Sequence, residues 1–342
     1  MSLFRTTLTP ARGARILIAL PIVATVLAAA CQPIPSPTSP PAPISNFPNA
    51  SNTGANESVP LTVVNHDVTV TTPNTTIQNM RFTNGANLWV RADDVTVKNS
   101  VFEGGRLNNH DMSNKVVYNG MIVDHDTFTN IPGQRHNTTP EHIFYRVGDG
   151  GYVAEAVKID RQQEGFRLGG ADQGGTDVVI ADSYVLIDTY GDMQWNGSRW
   201  VADEGTNHVN VSSPTSPNNA PCDGHPDGVQ GYVGPHAFIT RNTFDMHSYG
   251  PGTCNDAPLF IADSSLGADV IDNAFLGGGY SERLHSGHFT SYNNRIARNE
   301  WGYGPITCGG ESSFVLDHQS GDLVADFDAN YHVTGTYQAV TC

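Results

Sequence analysis

The sequence predicts an all-β solenoid, a chain of short strands stacked coil upon coil, and three observations predict it. First, a short phrase ending in a large apolar anchor keeps returning. It runs Val-Lys-Asn-Ser-Val-Phe to Phe102, Val-Asp-His-Asp-Thr-Phe to Phe128, Ile-Ala-Asp-Ser-Tyr-Val to Val185, Ile-Thr-Arg-Asn-Thr-Phe to Phe244, Val-Ile-Asp-Asn-Ala-Phe to Phe275, and Ile-Ala-Arg-Asn-Glu-Trp to Trp301. Second, stretches such as Val95-Thr96-Val97, Met121-Ile122-Val123 and Phe238-Ile239-Thr240 carry strand period, and helix signals are nearly absent. Third, Asn or Asp recurs two or three residues before the anchor, at Asn79, Asn99, Asp126, Asp182, Asn242, Asn273 and Asn299. Such residues tolerate a left-handed turn and can stack their amides on the next coil. One strand with one inward aromatic cannot bury its apolar face alone, so each copy must lie on its neighbours.

From the N-terminus, residues 1–30 have Arg5, Arg12 and Arg15, then an apolar stretch from Ile16 to Ala30, the order of an export signal. The Ala28-Ala29-Ala30-Cys31 junction resembles a bacterial lipoprotein cleavage box, with the departure that Leu27 stands four residues before the Cys. That resemblance implies lipidation of Cys31, which attaches a chain to a membrane without a spanning helix. Residues 31–48 are rich in Pro and Ser and have too little apolar area for a core, so they read as an extended spacer. Residues 49–342 read as one domain, because in a solenoid each coil contacts only its neighbours.

The whole chain carries a formal charge of −16. The signal holds three of the 18 basic residues and none of the 34 acidic ones, so the exported part carries 15 − 34 = −19. Such a surface makes nucleic acid a poor partner. Apart from Cys31 four cysteines remain, an even number without Cys-x-x-Cys spacing, which in an exported chain favours two disulfides over a metal site. Of the three pairings, Cys222 with Cys254 spans about one coil plus a loop, and Cys308 with Cys342 pins the end of the stack. A monomer is expected.

The anchors set the coil count. Phe82, Phe102 and Phe128 are 20 and 26 residues apart; then come gaps of 57, 59, 31 and 26 to Val185, Phe244, Phe275 and Trp301. The two long gaps are expected to hold two coils each, the extra ones carrying Val157-Lys158-Ile159 with Phe166, and Val229-Gln230. The shift of the Asn/Asp from three to two residues before the anchor suggests a turn that has lost one residue. Taken together, these phrases resemble the right-handed parallel β-helix of the pectate-lyase-like superfamily from about Pro60 to Tyr303. The resemblance implies a single-stranded right-handed parallel β-helix, and extracellular polysaccharide as its partner.

The densest polar cluster is Cys222-Asp223-Gly224-His225-Pro226-Asp227-Gly228-Val229-Gln230. Two carboxylates and an imidazole so close can work as acid and base or hold Ca²⁺; alternatively Asp227 caps a turn. The phrase His-x-Asp-Gly-Val-Gln is similar to one found in exported bacterial β-helix proteins and, distantly, to the Asn-x-Asp-Gly of polygalacturonase-like hydrolases. The further Asp pair and Gly-His-Gly of those hydrolases are missing at the required spacings. Stacking predicts Glu164 near the level of Asp227. The segment from Tyr190 to His208 is too long for a coil turn and is expected to project as a loop, with Trp195 and Trp200 to stack on sugar faces and Asp203, Glu204 and His208 as titratable groups. Further on, Tyr280, Arg283, His285 and His288 follow three glycines.

The expected groove therefore joins the 190–208 loop, the 223–230 turn and the 279–288 turn, with Gln230 and Tyr280 among its substrate contacts. For hydrolysis, Asp227 and Glu204 are the carboxyl pair, tuned by His225. For elimination, Arg283 or His225 is the base, with Asp223 and Asp203 as Ca²⁺ ligands. No phosphate-cradling or dinucleotide motif occurs; Ca²⁺ enters only with the elimination reading. The rival class is a non-catalytic glycan-binding or adhesive surface protein, since this fold class hosts both.

Overall fold

The computed structural model describes residues 44–133, 145–162, 164–170, 175–187, 193–195, 200–202, 226–246 and 257–342. All of them lie within one compact unit, Ala42–Cys342. The described residues are all-β and contain no helix. Three long sheets dominate, and from Thr62 to Phe327 their strands follow in rotation, one in sheet 1, one in sheet 2, one in sheet 3, then sheet 1 again, with the hairpins His110–Asp111/Val116–Val117 and Met193–Trp195/Trp200–Ala202 set between them. The first coil is Thr62–Val64, Val68–Val70 and Thr76–Gln78; the next sheet-1 strand, Met80–Phe82, lies parallel on Thr62–Val64. Parallel neighbours joined through two other sheets are what a parallel β-helix or solenoid requires.

Sheet 1 carries the anchors. Its inward column runs Val64, Phe82, Phe102, Phe128, Ile159, Val185, Phe244, Phe275, Ile296 and Val324, each the register partner of the next. Row spacing of about 4.8 Å lets like rings lie on like rings. Phe82 sits 4.6 Å from Phe102 at 3° between planes, and Phe102 4.7 Å from Phe128 at 9°. One core cluster joins these residues to inward side chains of the other two sheets, such as Leu88, Leu107, Val97 and Val123.

Three expectations about the coils are corrected. The gap from Phe128 to Val185 does hold an extra coil, anchored by Ile159, but the gap from Val185 to Phe244 does not: Val185 pairs directly with Phe244. Val229–Tyr232 is the sheet-2 strand of that same coil, so the surplus residues, 188–225, are an insertion. The anchor after Phe275 is Ile296, not Trp301, which lies beyond the strand and packs partly buried against the core. No turn has lost a residue either. From Phe82 on, the left-handed residue is three before the anchor: Asn79, Asn99, His125, Ala156, Asp182, Arg241, Asp272 and Asn293, with φ of 47° to 55°, then Gly321 (φ 75°). The residue two before the anchor forms a separate, buried column.

That second column explains why Asn and Asp alternate between the two positions. Backbone N–H groups donate upward through it: Ser183 to Asn242 Oδ1 (2.9 Å), Asn242 to Asn273 Oδ1 (2.9 Å), Asn273 to Asn294 Oδ1 (2.9 Å) and Asn294 to Asp322 Oδ1 (2.8 Å). The amide Nδ2 groups of Asn242, Asn273 and Asn294 donate to carbonyls of Ile180, Ile239 and Val270. Each turn's orphan donors are thereby satisfied inside the stack.

The outer face of sheet 1 is strapped. Ser45 accepts from Val333 N, Pro48 O accepts from Thr243 Oγ1, Gly54 N donates to Ala156 O, Ala55 N to Thr127 Oγ1, and Asn56 N to Asn99 Oδ1. Glu57 then pairs with Arg81. Residues 45–57 thus run from the last coil back to the second. Gly54 (φ 81°) is needed there, since a Cβ would stand 2.7 Å from Lys158 Cβ. Phe47 is buried against Ala274, Leu276 and Ala297, so packing begins at the end of the Pro/Ser-rich stretch. The far end is closed by Val333–Ala339, antiparallel on Leu323–Phe327, and by the Cys308–Cys342 disulfide (Cα atoms 5.5 Å apart). Cys31, Cys222 and Cys254 lie outside the described residues.

Candidate functional site

Three of the longest sequence separations between successive strands of the stack, from Thr129 to Val147, Ile187 to Val229 and Met246 to Leu259, each lead from a sheet-1 strand to the following sheet-2 strand. Long connections on a repeated scaffold are where binding usually resides. Sheet 2 follows each of them. Its inward residues are Val68, Leu88, Leu107, Val147, Phe166, Val229 and Leu259, followed by Glu282 and Ile306. Its outward column contains Trp89, Asn108, Arg167, Gln230, Phe260 and Arg283.

On that outer face cations and aromatic rings interleave. Arg106 and Arg91 lie 4.8 and 5.4 Å from the centre of the Trp89 ring; Arg106 is also 5.8 Å from Tyr145. Arg167 is held between Tyr232 (4.8 Å) and Tyr145 (5.6 Å), and Arg283 lies 4.3 Å from Phe260. Gly148 makes room: a Cβ there would come within 2.6 Å of Arg167 Cβ and 2.9 Å of the Tyr145 ring. Stacked arginines and half-exposed rings form a surface for a ligand with both flat apolar faces and negative groups.

Beneath this layer is a polar network. His110 Nδ1 and Asp149 Oδ2 are 2.7 Å apart and both residues are buried. Tyr145 hydroxyl also bonds Asp149, and accepts from Asn108 Nδ2 at 2.7 Å. Burial, with the nearby Asp149 charge, pushes the Tyr145 phenol up, keeping it a donor at neutral pH. An imidazole oriented by a carboxylate is the arrangement that general acid–base chemistry uses.

The positions nominated from sequence divide into three groups. Asp227 and Gln230 are brought together: Asp227 Oδ2 accepts from Gln230 Nε2 at 3.0 Å, and its Oδ1 accepts from Ala257 N at 2.9 Å. Gln230 in turn accepts from Arg167. Asp227 is therefore buried in the corner turn with hydrogen bonds on both oxygens. Arg283 faces outward two strands further on, and Tyr280, at the start of that strand, packs on Tyr303 with ring centres 5.6 Å apart. Trp195 and Trp200 are register partners in an antiparallel hairpin, Met193–Trp195 with Trp200–Ala202, so the expected loop contains a short ribbon. Glu204, His225, Asp203 and Asp223 lie outside the described residues. Among the described residues no three His, Cys, Asp or Glu side chains are grouped to hold a metal ion.

Glu164 lies where stacking predicts. Phe166 pairs with Val229, and Gly165 N donates to Asp227 O at 2.9 Å, so two residues back along both strands Glu164 stands beside Asp227. Its Oε2 is 4.0 Å from Arg167 Nη1. Burial raises its carboxyl to about 7 against the opposing pull of Arg167 and Arg146. Sequence reading gave no site role to Trp89, Arg106, Asn108, His110, Tyr145, Asp149 and Arg167, because they are scattered over separate strands and turns that share no motif. Only the register gathers them.

Compared with known proteins, the chain matches no family model, no curated protein and no solved structure.

Proposed function

We propose that this chain is an exported right-handed parallel β-helix, tethered through a lipid on Cys31, that binds and cleaves an extracellular polysaccharide along the outer face of sheet 2. One observation carries the reading: on a chain of net charge −16, that face alternates arginines with aromatic rings from Trp89 to Arg283. Rings stack on sugar faces, and arginines attract sugars that carry carboxylates. Acidic polysaccharide is therefore the favoured substrate class.

The cleavage is either hydrolysis or elimination. In hydrolysis a protonated carboxyl donates to the leaving oxygen while a second carboxylate attacks or activates water, the parts assigned to Glu204 and Asp227. In elimination a base, His225 or Arg283 in its neutral form, takes the proton beside the sugar carboxylate, a carbon–carbon double bond forms as the glycosidic oxygen leaves with a proton from water, and arginines, or Ca²⁺ that Asp203 and Asp223 would hold, neutralise the carboxylate. The second reading, glycan binding without cleavage, is favoured by the hydrogen bonds that occupy both oxygens of Asp227.

The test is incubation of the exported chain with a panel of uronic and neutral polysaccharides, with and without Ca²⁺, following reducing ends and ultraviolet absorbance together. New absorbance marks elimination, and reducing ends without absorbance mark hydrolysis. Binding that produces neither, and survives Asp227→Asn and Glu204→Gln, supports the non-catalytic reading. A panel that neither binds nor reacts overturns the proposal.

A further inference from the structure

We infer that Arg167 is the subsite for a ligand carboxylate and that Glu164, buried beneath it, is the chain's own competitor for that cation, so that protonation of Glu164 gates the binding of an acidic sugar. This rests on the reading of the outer face of sheet 2 as a glycan groove.

The geometry is that of an ion pair left open. Arg167 is fixed in its slot by two tyrosine rings, and its Nη1 is committed to Gln230 Oε1. Its Nε is buried and has no hydrogen-bond partner among the described residues. Glu164 Oε2, on a side chain only 3% exposed, is likewise buried without a hydrogen bond, 4.0 Å from Arg167 Nη1. Opposite charges this close normally close into a bidentate bond. Here Gln230 takes the Nη1 donor while the Arg167 side chain stays 22% exposed, so its outer edge keeps binding capacity and the carboxylate keeps an unmet demand at Oε2.

Around the pair, Tyr145 N donates to the Glu164 carboxylate, and Asp227 stands beside it with its own oxygens held by Gln230 and Ala257 N. Arg146 acts on Glu164 but gives its Nη1 to the carbonyls of Gly104 and Gly105. Asp149 and Arg106 face Tyr145, and Asp227 and Asp263 face Tyr232. Because burial holds the Glu164 carboxyl near 7, it is neutral in mildly acidic solution and ionised in mildly alkaline solution. When ionised it competes for Arg167; when neutral it leaves the cation to a ligand. The coupling is reciprocal, so an anion on Arg167 must in turn favour the proton on Glu164. A sugar carboxyl titrates near about 4, well below this window, so the ligand contributes no pH dependence of its own.

The experiment uses the full exported chain with a galacturonic acid trimer and a neutral galactose trimer, their affinities measured by calorimetry between about pH 5 and about pH 8.5. The acidic trimer should lose roughly tenfold in affinity as pH rises through the window, and the neutral trimer should not respond. Glu164→Gln should hold the low-pH affinity throughout, while Arg167→Met should lose the preference for the acidic trimer at every pH. Since His110 is another titratable side chain near this face, a pH profile that persists in Glu164→Gln assigns the dependence elsewhere and overturns the inference. So does a wild-type profile that is flat. If neither trimer binds at any pH, the groove reading falls, and the pair is judged by carbon NMR of the Glu164 carboxyl with inorganic sulfate as probe. Sulfate should raise the titration midpoint in wild type and leave it in Arg167→Met; no shift in wild type overturns the gate as well.

Discussion

Sheets 1 and 2 come from the same coils, yet their outer faces have been put to opposite uses. Sheet 1 is covered by the strap 45–57, whose backbone is bonded to coil after coil, and its outer charges close into pairs such as Glu57 with Arg81. Sheet 2 has no such cover among the described residues and presents Trp89, Arg167, Phe260 and Arg283. Inside, the contrast repeats: the sheet-1 column is apolar throughout, whereas that of sheet 2 is broken by Glu282. In a solenoid any column free of a stacking role can be spent on something else, and sheet 2 is where this chain has done so.

The comparison breaks most readily at the sheet-1 ladder. Phe102→Ala removes a ring sandwiched between two others and leaves a cavity in a continuous core. It should cost about 3–5 kcal/mol in chemical denaturation. A loss comparable to that of an outer-face substitution would mean that the ladder is not the element holding the coils together. Next is the buried amide column. Asn273→Ala removes the acceptor of Asn242 N and the donor to Ile239 O, stranding two buried backbone groups. About 1–3 kcal/mol should be lost for each group left unsatisfied.

Glu282 should move stability in the other direction. It occupies an inward position between Leu259 and Ile306, wholly buried, with no hydrogen bond to either oxygen among the described residues. Burial, then the charge of Asp322, drives its carboxyl well above the ordinary range. The folded state therefore binds this proton more tightly than the unfolded chain, so the stabilisation is complete below the unfolded value near 4.5 and is lost as pH rises toward the folded one. Replacing the carboxyl by Glu282→Leu, which matches its column, should raise stability near pH 8 by about 1–3 kcal/mol and flatten the alkaline side of the stability curve. Thermal melts of both proteins across pH would show it; equal slopes would mean that Glu282 has an internal partner.

The fold was legible because its evidence is repeated. Each coil supplies another anchor at a fixed distance from a left-handed turn, so Phe82, Phe102, Phe128, Phe244 and Phe275 identify one another. The errors arose where the repeat is degenerate. Two adjacent turn columns both accept Asn and Asp, so reading them as one produced a missing residue that does not exist. An insertion of 188–225 looks like a coil when only its length is known. The candidate site is far less legible, since a strand's outer residues obey no repeat. Arg167 meets Gln230 across 63 residues of sequence, a contact fixed only by the pairing of Phe166 with Val229. The 222–230 segment drew attention to Asp227 as the densest polar cluster, with a capped turn as the alternative, and the hydrogen bonds that Asp227 accepts from Ala257 N and Gln230 are those of a turn.

The smallest effect on stability offers the sharpest separation between the two faces. Arg241 and Asp182 form a half-exposed bidentate pair at the sheet-3 to sheet-1 corner, and Arg283 stacks on Phe260 on sheet 2. Solvent screens the first and the second is a stacking contact at the surface, so Arg241→Gln and Arg283→Gln should each change stability by no more than about 1 kcal/mol. Their effects on acidic glycan should part company, with Arg241→Gln leaving affinity unchanged and Arg283→Gln weakening it severalfold, because the first guanidinium lies at the sheet-3 to sheet-1 corner and the second lies over the Phe260 ring on the outer face of sheet 2. Affinity measurements beside denaturation curves for the two variants decide the matter: equal losses of binding would mean that net charge attracts the ligand, and sheet 2 would hold no special place.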